Sequence, residues 1–150
     1  MEKKFELTDK FVFNTFGIKL FQIKCTKSFK YAKEGDLGGY VEKDENLDQE
    51  SDAWVYGDAQ VYGNAQVYGD ADIENDNNHC GFDCFGSCNR HTHAYLTKDN
   101  KVEITCGCFR GSIEEFEKKV EKTHSGTIYE KQYKAIINVI KIKFGLTDLI

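Results

Sequence analysis

DAWVYG-DAQVYG-NAQVYG, residues 52–69, is one hexapeptide written three times, and a fourth copy begins at Asp70 with DADI. Alanine recurs at Ala53, Ala59, Ala65 and Ala71, and an aliphatic residue follows two places later at Val55, Val61, Val67 and Ile73. Gly57, Gly63 and Gly69 close the units. A period of six with a small and an aliphatic residue at fixed offsets is the pattern of a left-handed parallel β-helix. Three hexads make one triangular coil there, so each residue stacks on the one about 18 places later. That geometry predicts Ala53 under Ala71 and Val55 under Ile73.

Working outward from the repeat, residues 35–51 (GDLGGYVEKDENLDQES) lead into it. Val41 and Leu47 fall twelve and six residues before Ala53, which predicts that they continue the alanine register with larger side chains. The register of Val55 runs back to the polar residues Gln49 and Lys43, so the first coil is expected to be irregular. About two coils fit into residues 41–73. Two coils bury little by themselves, so flanking elements or a second copy of the chain must cover them. Residues 5–25 read as a β-hairpin: Phe11 and Phe13 alternate, Asn14-Thr15-Phe16-Gly17 is a turn, and Phe21, Ile23 and Cys25 alternate again. Such a hairpin would cap the open end of the coil, where bare backbone invites aggregation.

The period of six ends at a polar break, ENDNN (74–78), which sets the predicted units at 1–76 and 77–150. Beyond it, HAYL (93–96) and VEIT (102–105) flank Lys98-Asp99-Asn100-Lys101 as a second hairpin. Ser112 with Glu115 makes a capping box before Ile113, Phe116 and Val120 at helical spacing. After Ser125-Gly126 a second amphipathic helix carries Tyr129, Tyr133, Ile136, Ile137 and Ile140 and ends before Gly145. The expected fold is a mainly β N-terminal part, hairpin plus short left-handed parallel β-helix, joined to a small α+β (ββαα) domain.

Charge is segmented beneath a net −5. Residues 1–33 carry +5, residues 34–76 carry thirteen acids against Lys43 alone, and residues 77–150 carry +2. The repeat segment therefore repels nucleic-acid phosphates and steers toward basic protein partners. Its candidate partner-binding residues are Glu42, Asp44, Glu45, Asp48, Glu50 and Asp52. A plain solvated acidic face is the alternative reading. Tyr56, Tyr62 and Tyr68, six apart, fall on three different sides of a triangular coil, which suits packing against a neighbour better than a base-stacking platform. No apolar run approaches the ~20 residues of a membrane span. MEKKFELTDK lacks a signal-peptide core, so a cytoplasmic setting with reduced or metal-bound thiols is expected.

The stretch from Gly35 to Ala71 resembles a group of bacteriophage and prophage proteins that share a GDLGG(W/Y)(I/V)E leader, an NL-x-x-E step and a variable number of YGNA-type hexapeptides. Gly86–His124, with its CGCFRG block (106–111), resembles a domain often joined to them. Together the two cover nearly the whole chain. The resemblance implies a phage accessory protein in the cytoplasm of an infected bacterium, of a kind that often counters host defence, CRISPR systems included, by binding. The hexapeptides also resemble those of left-handed β-helix acyltransferases, which carry a catalytic histidine on a loop of the coil. No histidine lies between residues 1 and 78, which argues against that chemistry.

Three constellations carry possible chemistry. His79, Cys80, Cys84, Cys88, His91 and His93 lie within fifteen residues, and Cys106 and Cys108 follow across the second hairpin. Cys80, Cys84, Cys88, Cys106 and Cys108 are thus candidate ligands for Zn²⁺, which needs four N or S donors at tetrahedral geometry. Packed free thiols and a disulfide are the alternatives. None of the spacings is a CxxC pair, and Cys88 stands where the related phage domain commonly has arginine. Second, CGCFRG runs into the helix start at Ser112, so Arg90, Cys106, Cys108, Arg110, Ser112 and His124 are candidates for holding a small anion or nucleotide. Third, Cys106 or Cys108 beside His124 or His93 would make a thiol nucleophile. The expected function is non-catalytic binding that inhibits a host defence component. The alternatives are a sequestering protein for an anionic ligand, a zinc-stabilised assembly module that oligomerises, and a Cys-dependent enzyme.

Overall fold

The computed structural model describes residues 2–146; Met1 and residues 147–150, the end of the predicted second unit, lie outside the described residues. Among the described residues, ten strands and two α-helices follow one another. The first six strands are β1 (Phe5–Phe13), β2 (Lys19–Cys25), β3 (Leu37–Val41), β4 (Trp54–Val55), β5 (Gln60–Val61) and β6 (Asp72–Ile73). The remainder are β7 (His79–Phe85), β8 (Arg90–Leu96), β9 (Val102–Cys106), β10 (Phe109–Ser112), α1 (Ile113–His124) and α2 (Ile128–Lys143). No helix among the described residues is long and apolar enough to cross a membrane.

The hexapeptides form short parallel rungs. β4 pairs with β6 so that Trp54 faces Asp72 and Val55 faces Ile73, a step of eighteen. β3 pairs with β5 through Val41 and Val61, and Leu47 bridges Val67, each a step of twenty. The difference corrects the expected register of the first coil. Val41 and Leu47 stand in the line of Val61 and Val67, not in the line of the alanines, because Leu47 to Val55 spans eight residues where Val67 to Ile73 spans six. The two extra residues leave Gln49 free to turn outward from the aliphatic line. Its side chain accepts from the amides of Lys4 (2.8 Å) and Phe5 (3.2 Å) and donates to the Phe5 carbonyl (3.2 Å). A glycine ends each hexad because the corner bends through positive φ (+54° at Gly57, +65° at Gly63, +66° at Gly69). Ala53, Ala59, Ala65, Ala71 and the aliphatic line are all buried, and with Trp54, Phe5, Ile23 and Tyr95 they form one core.

The N-terminal hairpin closes the open edge of the first rung. β1 and β2 are antiparallel, β2 pairs with β3, and β3 continues in parallel to β5, giving the order β1-β2-β3-β5. The glycine pair before Tyr40 permits this seam. A Cβ on Gly39 would lie 2.6 Å from Val55 Cγ1 and 2.8 Å from the Ala59 carbonyl oxygen, so no larger residue fits. Buried Asn46 braces the coil from inside: its amide donates to the carbonyls of Gly63 (3.1 Å) and Ala65 (2.9 Å), and its oxygen accepts from the Lys43 amide (3.0 Å).

The C-terminal unit carries four strands where the sequence pattern predicts two. β10-β9-β8-β7 form an antiparallel sheet, so HCGFDCF is an edge strand and the CGCF turn returns as β10. The pattern of β7 is obscured by its register shift between Phe82 and Phe85, with Cys84 at φ 68°. One sheet face, with Ala94, Ile104 and Cys106, packs on Ile113, Phe116, Val120, Tyr133, Ile136, Ile137 and Ile140 of the helices. The other face meets the coil: Tyr95 enters the coil core, and the Thr105 hydroxyl donates to the Gln66 carbonyl (3.1 Å). The capping box at Ser112 and Glu115 starts α1, with N···O distances of 3.1 and 3.0 Å.

Candidate functional site

The CGCF turn and the two helices enclose a cavity of about 360 Å³. Arg90 of β8, Lys119 and His124 of α1, and the thiols of Cys88, Cys106 and Cys108 face it, together with Phe109, Phe116 and Tyr133. No carboxylate is among its lining residues, whereas the neighbouring cavities take in Asp76 and Asp83, or Glu45. The aromatic rings are locked together. Phe116 meets Phe109 at 5.1 Å and Tyr133 edge-on at 5.5 Å, and the His124 imidazole stacks on Tyr133 at 5.6 Å between centroids. Arg90 lies over Gly107, where φ is +59° and any Cβ would collide with its guanidinium. That glycine allows the charged head of Arg90 to lie across the turn.

The floor of the cavity is a thiol–phenol pair. Buried Cys106 Sγ accepts from the Thr92 hydroxyl (3.2 Å) and lies 3.7 Å from the Tyr133 hydroxyl. Burial first, and the Cys106 thiol second, push the Tyr133 phenol well above its ordinary value. Tyr133 is therefore a neutral donor throughout the physiological range.

Four of the six predicted anion-site residues, Arg90, Cys106, Cys108 and His124, meet at this cavity. Arg110 and Ser112 do not. They lie at another cavity beside Glu103 and Glu115, where Arg110 Nε donates to Glu103 (3.0 Å) and its guanidinium covers the Tyr68 ring. The capping box occupies Ser112, so this helix start is satisfied by its own chain rather than open to an anion. Lys119 and Tyr133 were not legible as site residues. Their signal is their helical position: they face the strand turn only once α1 and α2 pack on the sheet.

The five predicted zinc ligands are dispersed. Cys80 packs half-buried toward the helices, Cys84 stands exposed on β7, and only Cys88, Cys106 and Cys108 share the cavity. All six cysteines are free thiols, and among the described residues no three His, Cys, Asp or Glu side chains converge as a metal-ligand group. The pairing of Cys106 with His93 as nucleophile and base is not formed either, since His93 points to the coil face. Of the acidic candidates, Glu42 accepts the Gly63 amide (2.7 Å), Asp44 pairs with Lys3 (2.7 Å) and Asp48 accepts the Ser51 amide (3.1 Å). Glu42 thus links two rungs, Asp44 ties the N-terminal segment to the leader and Asp48 closes a local turn, while Glu45 and Glu50 stand exposed.

A second constellation lies between sheet and coil. Asp76, His79, His93, His91 and Asp83 form an unbroken row, with contacts of 3.0, 2.9, 2.9 and 2.6 Å in that order. A cavity of about 290 Å³ opens on it, lined also by Gln60, Tyr62, Cys80 and Gly81. No protein-family model matches the chain, and no curated protein matches it.

Proposed function

We propose that the chain is a non-catalytic binding protein that sequesters a small anionic ligand of nucleotide class at the Arg90–Lys119–His124 cavity. The observation that carries this reading is the convergence of three cationic or protonatable side chains on an aromatic-walled cavity without a carboxylate. Arginine supplies bidentate donors to a phosphate, and the rings supply a stacking surface for a base. A reaction at Cys106 is less well supported, because its thiol is engaged by Thr92 and Tyr133 and no imidazole lies among its hydrogen-bond partners. The parallel rungs with steps of eighteen and twenty support a left-handed β-helix of about two coils as the scaffold. The resemblance to phage accessory proteins supplies the setting: removal of a nucleotide signal on which a host defence system depends.

Thermal shift and calorimetry against linear and cyclic nucleotides and inorganic phosphate test the reading, with chromatography of the recovered ligand. The expected result is a raised Tm with at least one nucleotide that is returned unchanged. Replacing Arg90→Ala and His124→Ala together weakens that binding at least about tenfold, the scale of one lost charge-assisted contact. No shift with any anion overturns it, and hydrolysed ligand overturns the non-catalytic part.

A second reading, docking of a basic host protein on the acidic coil, is favoured by the exposed carboxylates of Glu45, Glu50 and Asp58. It requires host-protein binding that falls steeply between roughly 50 and 300 mM salt, over which the Debye length shrinks from about 14 to about 6 Å.

A further inference from the structure

Two N–H···N contacts and two contacts to carboxylates join Asp76, His79, His93, His91 and Asp83. All six ring nitrogens are engaged. Each contact needs one hydrogen between its two heavy atoms. Two bare nitrogens facing each other at 2.9 Å would repel, and a bare nitrogen facing an ionised carboxylate would repel as well. Four contacts therefore need four ring hydrogens, whereas three neutral imidazoles bring only three.

We propose that this row is a proton-relay site that holds one excess proton, shared between its two ends through His93. With the cation on His79, its Nδ1–H donates to His93 Nε2, and His93 Nδ1–H donates to His91 Nε2. Transfer moves the His79 Nδ1 proton to His93 Nε2 as the His93 Nδ1 proton passes to His91 Nε2. One N–H breaks and one forms at each contact, His93 changes tautomer, and the positive charge moves to His91. A second proton has no place, because it would set two N–H groups against each other at one contact.

The surroundings fit this function. His79 and His91 side chains are 8% and 9% exposed, while their carboxylates are 58% and 63% exposed, so the row is wet at both ends and dry in the middle. Burial, and then the neighbouring imidazoles, hold the His93 pKa well below its ordinary value, which keeps the central ring neutral. Burial raises the Asp76 carboxyl, but the hydrogen bonds from His79 and from the Gln60 amide outweigh it, and the net direction is down. The other groups facing the row are Gln60 and Tyr62 of the coil, Cys80 of β7 and, acting on Asp76 and Cys80, the Lys143 ammonium of α2. Gly81 leaves the space for it: a Cβ there would meet His91 Cε1 at 2.6 Å and His93 Nδ1 at 2.8 Å.

Nitrogen-15 NMR of the imidazoles, on chelator-treated full-length protein at neutral pH, tests the proposal. The wild type is expected to show four ring N–H groups over three rings, with both His93 nitrogens partly protonated. Asp83→Asn, at an exposed edge-strand position, draws the charge to His79 and shifts His93 toward its Nδ1–H tautomer about tenfold, the effect of one neighbouring charge. Asp76→Asn shifts it the other way, toward Nε2–H. Three ring N–H groups, or one His93 tautomer unchanged by Asp83→Asn, overturn the proposal. Asp83→Asn decides alone if Asp76→Asn, which also loses strength at the Gln60 amide, does not fold.

Discussion

Lys4 shows how one side chain can close off a stack of short parallel rungs. Its residue is only 4% exposed, and its ammonium donates to the carbonyls of Ser51 (2.5 Å) and Ala53 (2.6 Å) while lying over the Phe29 ring. Those carbonyls sit where the first coil has no rung beneath it. Burial is the dominant influence and lowers the Lys4 pKa to about 8, against the pull of Asp48 and Asp52. A depressed lysine is bound less tightly by its proton in the folded state than in the unfolded chain. Its contribution is therefore complete above the unfolded value near 10.5 and is lost as pH falls through about 8. Compared with Lys4→Met, which does not titrate, the wild type should gain at most about 2 kcal/mol between pH 7.5 and 9.5, read from urea melts. A flat difference between the two proteins would place the ammonium in water. Sequence alone did not single out Lys4, because nothing distinguishes the one that turns inward among the eight lysines spread over residues 1–33.

At the scale of elements, the stacked rungs were legible and the histidine row was not, for related reasons. A repeat announces itself by local periodicity, and the stacking of Val55 on Ile73 follows from arithmetic. The two-residue insertion after Leu47 was hidden because the leader has no repeat against which to count. The row depends on cross-strand register. His91 and His93 alternate on β8, but His79 joins them only because Gly81 lies opposite His93 and opens the diagonal. A glycine facing a histidine across a hairpin is the signal that was available. The cavity at the CGCF turn was half legible: Arg90, His124 and the cysteines of CGCF marked it, while Lys119 and Tyr133 became visible only with packing. Within the coil, Asn46 is the element's polar brace. Asn46→Ala leaves the Lys43 amide and the Gly63 and Ala65 carbonyls without their partner. A loss of about 2–4 kcal/mol in urea or thermal melts is expected. A loss below about 0.5 kcal/mol would mean that water replaces the brace.

For the whole molecule, the two cores meet at a few residues that belong to both halves. Tyr95 is a strand residue of the C-terminal sheet whose ring is fully buried in the core of the coil and whose hydroxyl donates to Glu103. Lys98, on the same hairpin, donates to Asp72 (2.9 Å) and the Tyr56 hydroxyl (2.6 Å) and lies over Tyr31. Burial alone would lower the Lys98 pKa, but Tyr56 and Asp72 outweigh it and the net direction is up. Ala71 bridges Thr97 and the Lys98 amide donates to the Asp70 carbonyl, so backbone as well as side chains crosses the junction. Coil and sheet are therefore expected to melt as one cooperative unit. Tyr95→Ala should cost about 3–5 kcal/mol, the range for truncating a buried aromatic ring, and lower the Tm of both halves together. Calorimetry checks this: two separate transitions in the wild type, or loss of the coil signal alone in the variant, would show independent halves.

The rungs of eighteen residues also set a phase for the chain's growth. If the rungs wind as the triangular coil proposed above, adding three hexads would lengthen the stack by one strand spacing, about 4.8 Å. Every tyrosine would then return to the side it now occupies. Adding one hexad would turn everything downstream by a third of a revolution. Tyr62 would leave the histidine cavity, Tyr68 would leave the Arg110 guanidinium, and Asp76 would no longer lie beneath the Gln60 amide. The number of hexapeptides thus acts as a clock as much as a ruler: insertions in multiples of three keep the same faces opposed, and any other number must rebuild the junction.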